Sequence, residues 1–341
     1  MTKSMAVLGA GAIGSSIGAD LTKAGYDVVL VDQWPAHVEA MKASGLHVAM
    51  RKEEFQVPVR ALHLCEVCTL RQPLDIVFLT AKSYDSSWMA YFIKPYLKPE
   101  GVLVSAQNSL NDEWLAPIIG YERDIGCALE LSAEIFEPGR VKRNTDRATT
   151  KFVLGELHGR ITPRLQEVAQ ALGVVGKTET TTNIWGAKWT KLVINTMVMA
   201  LDTIAGIRVW ELAQNPKYLG LCLKMGQETV LVGKALGYTL EPIFGLTAQD
   251  MAGSTEGWLK KILAILVSDV GKEARSTVLQ DILKGRPSEV VNHLNGLVVK
   301  KGREAKVTTP VNEAVTAVMR QVEEGTLKPS LSNMKLLEAY M

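Results

Sequence analysis

Lys191, Asn195 and Met199 follow one another at intervals of four in the run Trp189-Thr-Lys191-Leu-Val-Ile-Asn195-Thr-Met-Val-Met199. On a helix that interval stacks side chains along one slowly drifting face, so an ammonium, an amide and an apolar thioether would share one wall of a site. The bland alternative is a lysine that snorkels to solvent. Glu289, in Arg286-Pro287-Ser288-Glu289, is a second candidate for catalysis. It competes with a reading as the N3 acid of a helix start, although Arg286 would be a poor cap for that helix.

Nearer the N-terminus, Gly9-Ala10-Gly11-Ala12-Ile13-Gly14 has the spacing of a dinucleotide-binding turn. The first glycine permits the tight turn, the second lets backbone N–H groups approach a pyrophosphate, and the third permits close helix packing beneath the positive end of the helix. Asp32 lies at the distance expected for a carboxylate that accepts hydrogen bonds from the adenosine ribose. It would repel a 2′-phosphate, and Gln33, Trp34 and Pro35 supply no neighbouring cation. NAD(H) is therefore the expected cofactor, with NADP(H) as the alternative. Lys82 and Asn108 follow two further apolar runs. There they could meet cofactor phosphate, nicotinamide ribose or substrate, or simply be solvated loop residues.

The elements that must position these groups alternate over the first 110 residues between short β-branched runs and helical patterns, the signature of βαβ units and a mostly parallel sheet. Strands are expected at Met5–Leu8, Val28–Asp32, Asp75–Thr80 and Val102–Ser105, and helices at Ile13–Ala24 and Pro35–Ser44. The second helix has Pro at its first turn and Gly45 just past its end. Leu46–Leu62 alternates and reads as an antiparallel excursion. Beyond Gly176 and a cluster of threonines, long apolar helical stretches take over at Trp185–Leu201, Tyr218–Leu236, Gly257–Val270 and Glu289–Lys301. The expected fold class is thus α/β: an N-terminal Rossmann doubly wound sheet over residues 1–178, followed by an all-helical C-terminal domain over 179–341 that carries substrate and catalysis.

With 341 residues, a formal charge of +2 and interspersed charges, no basic block points to nucleic acid and no polybasic segment to an anionic membrane. No apolar run reaches a membrane span and no signal-peptide pattern precedes the first strand, so a cytoplasmic protein is expected. The four cysteines are too few for a disulfide framework at this length. Cys65 and Cys68, with His63 close by, have a spacing that can hold a metal or exchange thiols. One pair without a partner set favours ordinary cysteines, and no metal is expected. The apolar helix around Tyr218–Leu236 would suit either a homodimer face or the core.

Taken together, Gly9-x-Gly11-x-x-Gly14, Thr80-Ala-Lys82, Gln107-Asn108, Trp189-Thr-Lys191-Leu-x-x-Asn195, Leu279-Gln-Asp281 and Arg286-Pro-Ser-Glu289 followed by Leu294-Asn-Gly296 resemble the ketopantoate reductases (2-dehydropantoate 2-reductases) over nearly the whole chain. The resemblance implies a Rossmann domain joined to helices and reduction of the C2 ketone of a 2-oxo acid by hydride from a nicotinamide. It also implies that Lys191 is the acid and that Glu289 holds a substrate hydroxyl. Asn195 and Asn108 would orient carbonyl and carboxylate, and Ser276 or Thr277 matches the family's carboxylate-binding serine, Thr277 in register. Four positions depart from the pattern: Met199 in place of a second asparagine, Ala200 in place of proline, Ser109 in place of glycine, and one extra residue before Asn295-Gly296. Asp32 also differs from the basic residue of NADPH-using members. Met199 would suit the apolar side chain of a bulkier branched or aromatic 2-hydroxy acid, the alternative substrate to 2-dehydropantoate. Two other readings keep the fold, a non-catalytic NAD(H) sensor and a 3-hydroxy acid dehydrogenase.

Overall fold

A computed structural model describes residues 3–341. The chain divides into two compact units, the first ending at Ile184 and the second spanning Trp185–Met341. The expected boundary after residue 178 falls inside the last strand of the first unit, which runs Lys177–Thr180.

The first unit is built on an eight-stranded sheet. Its strands are β1 (Ser4–Leu8), β2 (Asp27–Asp32), β5 (Arg60–His63), β6 (Leu74–Leu79), β7 (Leu97–Ala106), β8 (Asp124–Glu130), β11 (Lys151–Glu156) and β12 (Lys177–Thr180). Their order is β12-β11-β8-β7-β6-β1-β2-β5. The six strands from β5 to β8 are parallel, and β11 is antiparallel to β8. Parallel strands need both faces covered, and the residues of β1 alternate to suit. Met5 and Val7 join a core with Ile17 and Leu21, while Ala6 and Leu8 join one with Met89, Ala90, Ile93, Leu115 and Ile118. Helices α1 (Ala12–Lys23) and α2 (Pro35–Ser44) therefore serve one face, and α3 (Ser86–Ile93) and α4 (Asp112–Ile119) the other. A fifth helix, α5 (Pro163–Leu172), joins the α1 side.

The stretch Leu46–Leu62 differs in part from expectation. β3 (Leu46–Ala49) and β4 (Glu54–Val57) do pair antiparallel, within a separate four-stranded sheet completed by β9 (Ala133–Glu137) and β10 (Arg140–Arg143). β5, however, returns to the main sheet parallel to β2, with Asp32 opposite His63. An edge strand with one wet face alternates just as a hairpin strand does, so hydropathy alone does not separate the two. Cys65 and Cys68 follow on an exposed 3-10 segment, Leu64–Thr69, and are not in a disulfide.

The second unit is helical. Its elements are α6 (Ile184–Ala205), α7 (Val209–Gln214), α8 (Pro216–Ala235), α9 (Ala248–Ala252), α10 (Thr255–Val270), α11 (Thr277–Leu283), α12 (Val290–His293), α13 (Asn295–Glu304) and α14 (Pro310–Glu323). Half of α8 is buried, ten of its 20 residues, and Leu231 is a large hydrophobic on its exposed side. The helix expected over Glu289–Lys301 is broken into α12 and α13 at Leu294, whose backbone is non-helical (φ −119°, ψ −103°). A Cβ at Gly296 would lie 1.7 Å from the Val291 carbonyl oxygen, so this sharp crossing demands glycine. Among the described residues, no helix is long and apolar enough to cross a membrane.

Candidate functional site

In the first unit the parallel register aligns the carboxyl ends of the central strands. Leu8 stands beside Val31 and Leu79, and Leu79 beside Ser105. Gly9, Asp32, Thr80 and Gln107 therefore emerge at one edge, where strand order reverses about β1. This is the switch point at which open α/β sheets bind ligands.

Gly9 has φ +92°, and a Cβ there would sit 2.8 Å from the Ala81 nitrogen. At Gly14 a Cβ would lie 2.3 Å from the Gly9 carbonyl oxygen and 2.5 Å from the Thr80 hydroxyl. Packing within the protein thus accounts for both. It does not account for Gly11, where a Cβ would meet nothing within 4 Å. Gly11 also occupies the N-cap of α1 without a capping side chain, and the first turn carries no acid. A bare, open backbone at the start of a helix fits a pyrophosphate, and the residues present suit a dinucleotide.

Asp32 is buried at the end of β2, and its Oδ1 accepts the Trp34 N–H at 2.8 Å, shaping the turn into α2. Trp34, not Asp32, is the N-cap of α2. Lys82 is half-buried just after β6, and Asn108 half-buried just after β7. Gln107 joins these two loops: its Nε2 donates to the Ala81 carbonyl at 2.6 Å and to the Ser86 hydroxyl at 2.8 Å. Ser109, where the resembling family carries glycine, adopts φ +73°. Ser109 thus holds a left-handed backbone without the freedom of glycine, at a cost of about 1 kcal/mol.

In the second unit, Trp189 is fully buried, donates its Nε1–H to the Thr229 carbonyl at 3.1 Å and stacks on Tyr238 at 4.6 Å. A Cβ at Gly233 would be 2.1 Å from that nitrogen, so α8 must present glycine to α6. Thr196, seven residues on and on the same side, meets the Thr229 hydroxyl at 3.0 Å. Two residues turn a helix by about 200°, so locking Trp189 against α8 aims Lys191 the other way. Lys191 and Asn195 are buried and Met199 is half-buried on that opposite face. The Lys191 Nζ lies 5.2 Å from the centre of the Phe244 ring, within cation–π range. Phe244 itself has φ +57°, an uncommon conformation for an aromatic residue.

Glu289 is buried immediately before α12 and makes no capping bond with its side chain. The expectation that it serves as a helix-starting acid is therefore not met. Its segment is anchored on both sides. Ser288 donates to the Glu323 carboxylate through its amide (3.1 Å) and its hydroxyl. Asn295 donates to the Thr196 carbonyl at 3.0 Å and to Asn312 at 2.9 Å.

Ser276 is the N-cap of α11, accepting the Leu279 N–H at 3.1 Å while donating its hydroxyl to Asp202 at 3.0 Å. Both capacities of that hydroxyl are thus in use. Thr277 follows, half-buried, as the first residue of α11.

Asp202 and Phe244 were not singled out by the sequence. Asp202 lies seven residues beyond Asn195, on the face that begins at Lys191, and that period was the available signal. Phe244 sits in a loop with no period to read. Burial pushes the Asp202 carboxyl up to about 7, against the opposing hydrogen bonds from Ser276 and Thr203. Cys222, also buried and near this carboxylate, is pushed up to about 12. Because the folded state holds the Asp202 proton more tightly than the unfolded chain, its contribution to stability is full below about pH 4. It is lost as pH rises through about 7, by at most about 4 kcal/mol. Urea unfolding between pH 4 and 7 should show the wild type losing stability relative to Asp202→Asn, whose side chain does not titrate. Parallel curves would refute this.

Two family models match the chain: Ketopantoate reductase PanE/ApbA over residues 5–158 and Ketopantoate reductase PanE/ApbA C terminal over residues 183–323. The chain belongs to the ketopantoate reductase family. It is thereby an oxidoreductase that transfers hydride between a nicotinamide cofactor and a 2-oxo or 2-hydroxy acid. A relative from Archaeoglobus fulgidus, named 2-dehydropantoate 2-reductase, is 29% identical over 323 residues, 94% of this chain and 97% of its own. Among solved structures, a PanE/ApbA family ketopantoate reductase from Ralstonia eutropha JMP134 is 26% identical with a TM-score of 0.78, covering 94% of this chain and 99% of the other. A D-mandelate dehydrogenase solved with NADH and anilino(oxo)acetate shares the fold at 20% identity and a TM-score of 0.79, again over 94% and 99%.

Proposed function

We propose that this enzyme is an NADH-dependent reductase of 2-oxo acids with branched or bulky apolar side chains, 2-dehydropantoate being the first candidate. The observation that carries the cofactor preference is Asp32, a buried carboxylate at the carboxyl end of β2. Followed by Gln33 and Trp34, it would accept ribose hydroxyls and repel a 2′-phosphate.

When bound, the nicotinamide supplies hydride to C2. The chain's own residues do the rest. Lys191 stabilises the alkoxide and gives it the ammonium proton, with the Phe244 ring 5.2 Å from that nitrogen. Asn195 orients the carbonyl, and Asn108 the carboxylate or the nicotinamide ribose. Lys82 meets a cofactor phosphate or the substrate carboxylate. Because the Ser276 hydroxyl proton goes to Asp202, we assign the carboxylate-binding hydroxyl to Thr277. Glu289 holds a hydroxyl of the substrate. Met199 replaces an amide with apolar surface, which is why a side chain richer in carbon is expected. We place the enzyme in the cytoplasm. The buried half of α8 argues for a structural role in its own domain before any role in a homodimer.

Steady-state reduction of 2-dehydropantoate and of aromatic 2-oxo acids, with NADH and NADPH in parallel, tests the reading. A kcat/KM at least about tenfold higher with NADH is expected, equivalent to about 1.4 kcal/mol. The gap should narrow in Asp32→Ala. Preference for NADPH would overturn the role of Asp32.

A further inference from the structure

His37 is wholly buried on α2, where it stacks on Trp34 at 5.4 Å. Its two ring nitrogens face two distant parts of the chain. Nδ1 accepts the backbone N–H of Gly139, in the β9–β10 turn, at 2.9 Å. Nε2 lies 2.9 Å from the carbonyl oxygen of Ala10, the residue between the first two glycines of the dinucleotide turn. An imidazole nitrogen that accepts a hydrogen bond carries no proton, so the proton resides on Nε2 and is donated to Ala10. The Ser15 hydroxyl donates to the same carbonyl at 2.6 Å and stands 3.1 Å from Nε2.

We propose that His37, as the neutral Nε2–H tautomer, is a positioning residue for the cofactor: with Ser15 it clamps the Ala10 carbonyl and thereby fixes the direction of the Gly9–Gly14 backbone. A peptide plane has one rotational setting for a given carbonyl direction. Holding the Ala10 carbonyl with two donors therefore also sets the N–H of Gly11, the glycine that internal packing leaves unexplained. The groups around the ring are the Ala10 carbonyl, the Ser15 hydroxyl, the Gly139 amide and the Trp34 ring, none of them charged. Burial accordingly holds the imidazole below the usual histidine value. A second proton on Nδ1 would face the Gly139 N–H donor to donor, so the clamp is selective for the neutral ring. This inference rests on the dinucleotide reading of the glycine turn.

The two nitrogens can be separated by substitution. A glutamine amide reaches about as far as Nε2 and can donate to Ala10, whereas an asparagine amide reaches only about as far as Nδ1 and can accept from Gly139. NADH affinity is to be measured by fluorescence titration near neutral pH for wild type, His37→Gln, His37→Asn and Ser15→Ala, alongside urea unfolding. Weakening of about 5- to 10-fold is expected for His37→Asn, within about 3-fold of wild type for His37→Gln, and an intermediate loss for Ser15→Ala. Alanine is an excellent helix residue, so Ser15→Ala keeps the test open should a His37 variant fail to fold. Loss of stability without the split in affinity, or Ser15→Ala binding as wild type does, would overturn the clamp. Wild type binding neither NADH nor NADPH would instead overturn the cofactor reading, and the clamp with it.

Discussion

Lys191→Ala is expected to lower kcat for 2-oxo acid reduction by about 10³-fold, with a change in KM smaller than about tenfold. General acid catalysis contributes about 10²- to 10⁴-fold, and the same ammonium also offsets alkoxide charge that the ground-state ketone lacks. The loss therefore belongs in kcat more than in KM. Arginine preserves charge but releases its proton reluctantly, so Lys191→Arg should recover only part of the rate. Rapid-quench single-turnover rates would check this, since they isolate the chemical step from product release. Activity retained within tenfold in the alanine variant would remove Lys191 from the mechanism.

Asp20→Ala should destabilise the first unit by about 3–5 kcal/mol, the cost of stranding a buried guanidinium. Asp20 is buried on α1, pairs with the fully buried Arg143 of β10 at 2.5 Å, and also meets Arg147. Arg143 continues to the Thr150 hydroxyl at 2.9 Å and the Val175 carbonyl at 2.7 Å. Arg147 continues to Glu53. One carboxylate thus ties the helix that follows the glycine turn to the four-stranded sheet and to the segment before β12. Urea unfolding followed by circular dichroism reads the effect. A double variant with Arg143→Met, which removes both charges and keeps the volume, should recover much of the loss. A single-variant loss below about 1 kcal/mol would show that the pair is not what holds α1 in place.

How much of this was legible beforehand differed by element. β1, α1, β2 and α2 follow from local rules, a β-branched run into glycines and a proline at a first turn, and the observed bounds lie within a residue or so of those expected. The return of β5 to the main sheet and the break at Leu294 were not legible, because each depends on a distant partner. Hydropathy reads burial, not which neighbour supplies it. The same distinction holds in the site. Lys191, Asn195 and Met199 announce themselves by helical period. His37 and Phe244 make their contacts with residues far away in sequence, and no local pattern marks them; Asp202 shares the helical period of Lys191, but its partner Ser276 lies far along the chain. Register alone set Thr277 ahead of Ser276, and what the sequence did not show is that the Ser276 hydroxyl accepts from Leu279 and donates to Asp202.

The central claim, hydride transfer from a nicotinamide to C2 of a 2-oxo acid, is tested most directly with NADH deuterated at the transferring position and 2-dehydropantoate as acceptor. The 2-hydroxy acid formed should carry one deuterium, on C2, by mass spectrometry and NMR. Unlabelled product, or intact NADH with every 2-oxo acid supplied despite measurable NADH binding, would contradict the account and point to a protein that binds the dinucleotide without using it.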